Sequence, residues 1–493
     1  MQSLLHISTE LSLSPREVLW ADIKSLLKLA APIIGITLSR MLMGFSDFVI
    51  VSFMGTDATA AISPSSFFVF TGICLAMGAV TSVQTFTAQA MGRGDRHEAA
   101  GYVWQGLYLA LASCVLAYGC SQWTDFVWHS TGAPPEVVAL EIAYCRICFW
   151  SVPFAAACCA LECFFNGIQK PSVALKAIII ALIFNIVGNY ILVFGKFGFP
   201  AMGIRGSAIA TVMAWGIRAL ILAIVFFSHE FRKDYSTASA WRFDKKKFRG
   251  IVALGGPTSI QWLLDIGAWF IFLAVIIQGF GKETLAASNI GIQYMHVAFM
   301  PAIGVGIALC SVVGHAIGEG RIDLAIRKTR AALLVSMVYM GAIGVVFLLI
   351  PRFLISFVSN DPEVIRVAIT VLVWAALFQV SDAVCIIYIY ALRGAGDTRW
   401  PAIALVSLVW GVFLFGGYGF ARFYPELRHH GPWMMCTLYI TILAVVLWRR
   451  FVGGKWRKID LFRKRPGESE ALPQVALETQ PVAAPLSATA EVV

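Results

Sequence analysis

Residues 26–61 read LLKLAAPIIGITLSRMLMGFSDFVIVSFMGTDATAA, and residues 252–287 read VALGGPTSIQWLLDIGAWFIFLAVIIQGFGKETLAA. Each stretch is a long apolar run that carries a single carboxylate, Asp47 or Asp265, before it turns. The turn itself repeats. Met54-Gly55-Thr56-Asp57-Ala58-Thr59-Ala60-Ala61 returns as Phe280-Gly281-Lys282-Glu283-Thr284-Leu285-Ala286-Ala287, at an offset of 226. Pro32 matches Pro257 at 225, Gly92-x-Gly94 matches Gly318-x-Gly320 at 226, and Asn166-Gly167 matches Arg393-Gly394 at 227. An apolar run of about 20 residues spans a bilayer as a helix. The sequence is therefore read as a membrane protein built from two copies of one unit.

Composition agrees. Of the 493 residues, 59% are hydrophobic and 13% charged, with a mean hydropathy of +0.77. A water-soluble chain carries about 25% charged residues, so a soluble enzyme, a disordered chain and a disulfide scaffold are all excluded. The eleven cysteines form no CxxC pair and sit in apolar runs, as Cys158 and Cys159 do; they read as small buried apolar residues. No cleavable signal peptide is expected, because the first apolar run is too long for one. Ser14-Pro15-Arg16-Glu17 has the form of a capping box and predicts a short helix along the membrane surface.

Twelve spans are expected, at 26–53, 60–90, 101–122, 139–165, 173–197 and 206–229, then 249–279, 286–316, 328–350, 365–392, 400–422 and 432–451. Basic residues collect on cytoplasmic segments. With both termini inside, the inner segments hold 28 Lys and Arg, the outer loops hold 7, and Arg40, Arg146 and Arg218 fall within spans. That bias accounts for the net charge of +10 without nucleic acid. The expected organisation is a cytoplasmic tail with the short interfacial helix over 1–25, an N-lobe over 26–229 and a basic cytoplasmic linker over 230–248. A C-lobe follows over 249–451, with a basic and then disordered cytoplasmic tail over 452–493. Six spans per copy is an even number, so the copies enter from the same side, as in transporters whose halves are related by an axis along the membrane normal.

A carboxylate within a span is expensive and marks an ion or proton site. Asp47, Asp265 and Asp382 are the three candidates, with Ser381 beside the last. Asp265 with Asp382 is read as a site that holds either a proton or Na+, which needs several oxygen ligands, such as the carboxylates, Ser381 and backbone carbonyls. Arg40, one to two turns before Asp47, is a candidate partner for it. Glu162 reads as an interfacial carboxylate. Asn185 and Asn189 share a helix face and are weaker candidates for a substrate cavity, together with Gln261, Gln293 and Phe378. Gln84 and Gln89 flank the end of span 2. His296 and His315 are too far apart to share a metal, and no catalytic residue and no cofactor is expected.

Several segments together resemble a family. Pro32, Ser46-Asp47, Gly55 and Ala60-Ala61, followed by Gln89-Ala90-Met91-Gly92-x-Gly94-Asp95, resemble the first two spans of multidrug and toxic compound extrusion (MATE) transporters. Asn185-x3-Asn189-Tyr190, Gly195, Pro200, Gly203 and Gly206-Ser207-Ala208-x2-Thr211 resemble that family's spans 5 and 6. Phe378-Gln379-x2-Asp382 with Leu392-Arg393-Gly394-x2-Asp397-Thr398 resembles its span 10. The resemblance covers about residues 20–450 and is nearest the NorM-like branch, since Asn189 stands where other members carry a second N-lobe Asp. It implies an all-α integral membrane fold of twelve helices in two pseudo-symmetric six-helix bundles around a V-shaped cavity. It also implies exchange of cationic, amphipathic drugs for Na+ or H+ by a monomer in the inner membrane. On that likeness Asp47, Asp265 and Asp382 fall on the family's acidic positions. Two departures stand out: Asp265 replaces the usual Glu, and Phe378 replaces a Tyr hydroxyl. A flippase for a lipid-linked precursor shares this architecture but wants a basic cavity, and the spans hold few Arg or Lys. An intramembrane transferase wants a DDxxD run or a His-Asp cluster, and neither occurs.

Overall fold

The computed structural model describes residues 14–462. Residues 1–13 and 463–493, which include the stretch expected to be disordered, lie outside the described residues. Among the described residues, eleven helices are long and apolar enough to cross a membrane. A bent pair, Pro135–Cys148 with Ser151–Gly167, is long and apolar enough only when taken together and, counted as one span, brings the number to twelve. The described chain is all helix and turn, without strands.

The spans are Pro15–Ser52, Thr56–Gly92, Arg96–His129, the bent pair, Ser172–Phe194 and Ile204–Phe226 in the first half. The second half has Lys245–Phe280, Lys282–Gly318, Ile322–Leu349, Pro362–Gly394, Arg399–Phe423 and His430–Val452. They are numbered 1 to 12 below. Each predicted span finds its helix, and many helices extend further. Span 2 runs 37 residues, about 55 Å of helix, well beyond the hydrocarbon thickness, so its ends leave the lipid or the helix tilts.

The expected short surface helix is not separate. The capping box forms, with Glu17 N donating to Ser14 Oγ (3.3 Å) and Ser14 N to Glu17 Oε2 (2.7 Å). The helix it starts runs unbroken from Pro15 to Ser52, because nothing between Arg16 and Leu26 breaks a helix. The bend in span 4 has a local cause. Pro153 has no N–H for the carbonyl of Phe149 and crowds it, and the helix breaks at Phe149-Trp150, with a bend of 42°.

The two lobes are joined most fully at the end of the molecule nearer the termini. Leu26, Ala30 and Ile33 of span 1 belong to the C-lobe core. Farther along, Met43 packs instead with Leu182 and Ala214 of the N-lobe. Span 1 thus starts against one lobe and finishes within the other, while spans 2 and 7 stay together from Ser82, which donates to the Ile251 carbonyl (3.1 Å), to the stacked rings of Phe67 and Phe270 (centroids 6.2 Å apart). Polar bonds close the joined end. Gln84 donates to the Ile307 carbonyl and to Ser311 Oγ (both 2.8 Å), Thr85 to the Arg393 carbonyl (3.0 Å), and Gln89 to the Gly394 carbonyl (3.0 Å). Asp22 takes Arg327 (2.7 Å) and Lys328 (2.9 Å). The repeated glycines meet one another here. A Cβ on Gly92 would lie 2.1 Å from the His315 carbonyl oxygen, and one on Gly318 2.2 Å from that of Gln89. The pseudo-symmetry axis passes between the two.

Candidate functional site: three carboxylates in two lobes

In the N-lobe, spans 1, 5 and 6 bring Asp47, Asn185, Asn189 and Thr211 together. Asp47 is 6% exposed, and both asparagines are fully buried. Asn189 Nδ2 donates to Asp47 Oδ1 (2.7 Å) and to the Asn185 carbonyl (3.0 Å), and Thr211 Oγ1 donates to Asp47 Oδ2 (2.9 Å). The spacing explains the cluster: Asn185 and Asn189 are one turn apart, so both face the same neighbour. Asn189 Oδ1 and Asn185 Oδ1 have no hydrogen-bond partner. Unmade hydrogen bonds in a buried site cost about 1–3 kcal/mol each. A cation ligated by these amide oxygens and the carboxylate would satisfy them, since hard cations take carboxylate, amide and carbonyl oxygens.

Arg40 does not pair with Asp47. It reaches Glu162 on span 4 (3.2 Å), and Glu162 also pairs with Arg218 of span 6. Glu162 is therefore a buried ion-pair partner rather than an interfacial carboxylate, because two guanidiniums from neighbouring helices enclose it.

In the C-lobe, Asp265 of span 7 and Asp382 of span 10 are both only partly covered, though each is mid-span. Such groups face a bundle interior or a water-filled cavity rather than lipid. Asp382 lies within electrostatic range of Asp265, and both act on Cys436 and Tyr439 of span 12. Among the described residues neither carboxylate has a hydrogen-bond or ion-pair partner. Two like charges in a low-dielectric site repel strongly, and one monovalent cation or proton between them removes most of that repulsion. Behind them an aromatic core fixes the helices. Phe272 and Phe413 lie 4.6 Å apart, Trp269 and Phe413 5.0 Å, and Phe272 and Trp433 5.3 Å. Phe272 and Phe413 sit in π-helical turns, Phe272–Ile277 and Val409–Gly416. Wide turns of this kind are frequent at functional sites.

The weaker candidates scatter. Ser381 is half-buried beside Asp382, and Gln293 is exposed. Phe378 (4% exposed) and Gln261 (7%) are buried. Asn185 and Asn189 belong with Asp47, not on an open wall. His296 Nδ1 meets the Ile292 carbonyl of its own helix (3.0 Å), and His315 pairs with Glu319 (3.1 Å). Among the described residues no three His, Cys, Asp or Glu side chains converge on one point. A cation seat must therefore use amide, hydroxyl or backbone oxygens beside one or two carboxylates. Sequence reading passed over Glu141, a buried carboxyl of span 4 whose Oε2 has no partner. The rule that flagged Asp47 flags it equally. Tyr439 had no such signal, since one aromatic among many in apolar helices looks like packing.

A family model described as MatE matches residues 32–191 and 261–418, one match in each lobe. The chain is 29% identical over 437 residues to "Probable multidrug resistance protein NorM" of Neisseria meningitidis serogroup A, with 86% of this chain and 93% of the relative covered. It is 28% identical over 457 residues to the protein of the same description from Rhizobium meliloti, with 91% and 97% covered. Among solved structures, one described as "Crystal structure of MATE in the bent conformation" superposes with a TM-score of 0.80 at 22% identity, covering 90% of this chain and 98% of that one. At that identity the likeness speaks for the fold alone.

Proposed function

Because this chain belongs to the MatE family, we propose that it is a multi-pass drug efflux antiporter rather than an enzyme. Its cargo is cationic and amphipathic, and Na+ or H+ moves in exchange. The observation that carries this reading is the pair Asp265 and Asp382. Both are mid-span, partly open and without a counter-ion among the described residues. A drug cation and a coupling cation compete for the same negative charge, and exchange follows. When Na+ or H+ neutralises the pair, the seat no longer holds a cationic cargo. When cargo leaves and the coupling ion returns inward, the pair is charged again. A ligand drives such a cycle only through different affinities for the two lobe arrangements. The polar bonds that join the lobes at the termini end belong to one of these arrangements.

Asp47 is the second seat in this reading. Its oxygens, with Asn185 and Asn189, are preassembled for a small cation. We place the protein in the inner membrane as a monomer with both termini cytoplasmic, on the strength of the basic-residue bias. The test is ethidium efflux from an efflux-deficient bacterial host, with Na+ and pH gradients imposed separately. Efflux driven by Na+ alone identifies a working Na+ seat despite the short Asp265 and the absent Tyr hydroxyl at Phe378. Efflux driven only by a pH gradient makes the carboxylates proton carriers. No efflux under either gradient, with protein in the membrane, overturns the reading.

A further inference from the structure

On span 4, thiols flank Glu162. Cys158 and Cys159 precede it and Cys163 follows it. Cys159 and Cys163 are four residues apart, so they share one face of the helix, and their sulfurs lie 3.9 Å apart. Every cysteine among the described residues is a free thiol. The others that make a bond make it to oxygen. Cys145, Cys148, Cys158 and Cys385 each donate to a carbonyl of another helix, and Cys310 meets Thr85 Oγ1. Among the described residues, only on span 4 does one thiol face another.

The pair is held weakly. Cys159 donates to the Met77 carbonyl of span 2 at 3.9 Å, and Cys163 to that of Thr81 at 3.8 Å. A thiol is a weak donor, so little is lost when these contacts are given up. Each of the two cysteines is 4% exposed, whereas Cys158 is fully buried. The surroundings are positive. Arg40, Arg218 and Arg393 all act electrostatically on Cys159. Against them stands Glu162, the one carboxylate that Arg40 and Arg218 share. Excess charge of one sign in low dielectric is costly unless an opposite charge completes it. Two thiolates on one monovalent metal ion carry a net negative charge and supply it.

We infer that Cys159 and Cys163 form a binding site for a two-coordinate thiophilic cation, Cu+ or Ag+. Hard cations take oxygen, whereas thiolates select soft ions. Zn2+ wants four ligands, and among the described residues no third His, Cys, Asp or Glu side chain joins the pair. A linear sulfur–metal–sulfur unit spans about 4.6 Å, taking about 2.3 Å for each bond as zinc makes to thiolate. A small side-chain rotation from 3.9 Å therefore admits the ion. On binding, two S–H bonds break, two metal–sulfur bonds form and two protons pass to water. Nothing is oxidised. The site is separate from the carboxylates of the proposed exchange and stands whether or not the chain exports drugs.

The test titrates the purified, pre-reduced full chain in detergent, without oxygen, with Cu+ held by bicinchoninate as a coloured competitor. The wild type should take about one Cu+ per chain, releasing about two protons for each, under conditions in which Cys159→Ser and Cys163→Ser take none. Cys114→Ser, altered on span 3, should match the wild type. X-ray absorption of the copper-loaded chain should show two sulfur neighbours. Where serine is not tolerated in the buried pair, Cys159→Ala and Cys163→Ala, which bury no hydroxyl, replace those variants, and the proton and sulfur counts on the wild type stand independently of them. Copper retained in both variants of the pair, or lost equally in Cys114→Ser, overturns the site. A wild type that takes no copper overturns it as well. Release of one proton or none per copper, or three or more sulfur neighbours, rules out the two-thiolate site in the same way.

Discussion

The two lobes descend from one repeat, yet they treat their acids in opposite ways. Asp47 of the N-lobe is buried and receives hydrogen bonds from Asn189 and Thr211. Asp265 and Asp382 of the C-lobe have no partner among the described residues, stand partly open and act on one another. The surrounding helices differ as well. Spans 7 and 11 contain π-helical turns, Phe272–Ile277 and Val409–Gly416, whereas their N-lobe counterparts, spans 1 and 5, are regular α-helix. A satisfied carboxylate changes its surroundings little when a cation comes or goes. An unsatisfied pair changes its energy greatly, because its self-repulsion appears or vanishes. The contrast teaches that the C-lobe carries most of the ion-dependent energy and the N-lobe a prebuilt, weaker response.

The largest effect that tests this contrast is expected at Asp382. Asp382→Asn abolishes drug resistance in an efflux-deficient host at unchanged protein level, while Asp47→Asn leaves a measurable remainder. Equal loss in both, at equal expression, would mean that the lobes share the coupling evenly. The next effect is on stability and belongs to the N-lobe. Glu162→Gln leaves Arg218 buried without a counter-charge, and breaking a buried pair costs about 3–5 kcal/mol. The melting temperature in detergent should therefore fall clearly. Since the C-lobe acids lack such partners, Asp265→Asn should lower it little or raise it. A Glu162→Gln chain as stable as the wild type would show that the cluster is not a structural anchor.

The twelve spans and the two-fold repeat were legible because both are written in long patterns. Apolar runs of more than 20 residues and an offset of 226 survive much local variation. Helix ends were less legible. Pro15–Ser52 begins eleven residues before the predicted first span, since a helix continues past the lipid boundary wherever no residue breaks it. The acids were found singly because a mid-span carboxylate is visible alone. Their partners were not, because partnership depends on the rotation of helices that meet from different parts of the chain. Arg40 shares the Asp47 face of span 1, so local spacing suggested that pair. Span 4, 122 residues away, supplied the actual one. Asn185 and Asn189 were found as a face, but what that face meets was not readable from span 5.

The joined end of the molecule offers a smaller test, in which the lobes are equivalent. Gly92 and Gly318 are repeat mates that touch, and a Cβ on either would meet backbone oxygen. Gly92→Val and Gly318→Val should each force the lobes apart at this end. Overpacking of this kind costs about 1–3 kcal/mol. Cysteine pairs placed across the termini-side interface should cross-link less readily in both variants. Similar losses support an axis passing between the two glycines; a large loss in one alone breaks the equivalence.

The smallest effect returns to the difference between lobes, at the start of the last helix of each. Span 6 begins after Gly203, and its counterpart span 12 begins after His429, at the repeat offset of 226. His429 is 7% exposed, lies 2.6 Å from Thr370 Oγ1 through Nε2 and stacks on His430 with centroids 4.4 Å apart. Burial, then the neighbouring His430 and Arg428, lower its pKa to about 4 from an ordinary 6.5. Between those values the unfolded chain binds a proton that the folded chain does not, so folding stability falls as pH drops from about 6.5 toward 4 and is fully present above that window. Allowing for the solvent that still reaches the ring, the loss is about 1–2 kcal/mol. It should appear as a melting temperature that declines through this window, and His429→Gln should flatten the decline. Because Gly203 has no titrating side chain, the start of span 6 contributes no such slope, and hydrogen exchange on lowering pH should rise at the start of span 12 before the start of span 6. Parallel exchange at the two helix starts, or an unchanged slope in His429→Gln, would assign the acid sensitivity to groups that the lobes have in common.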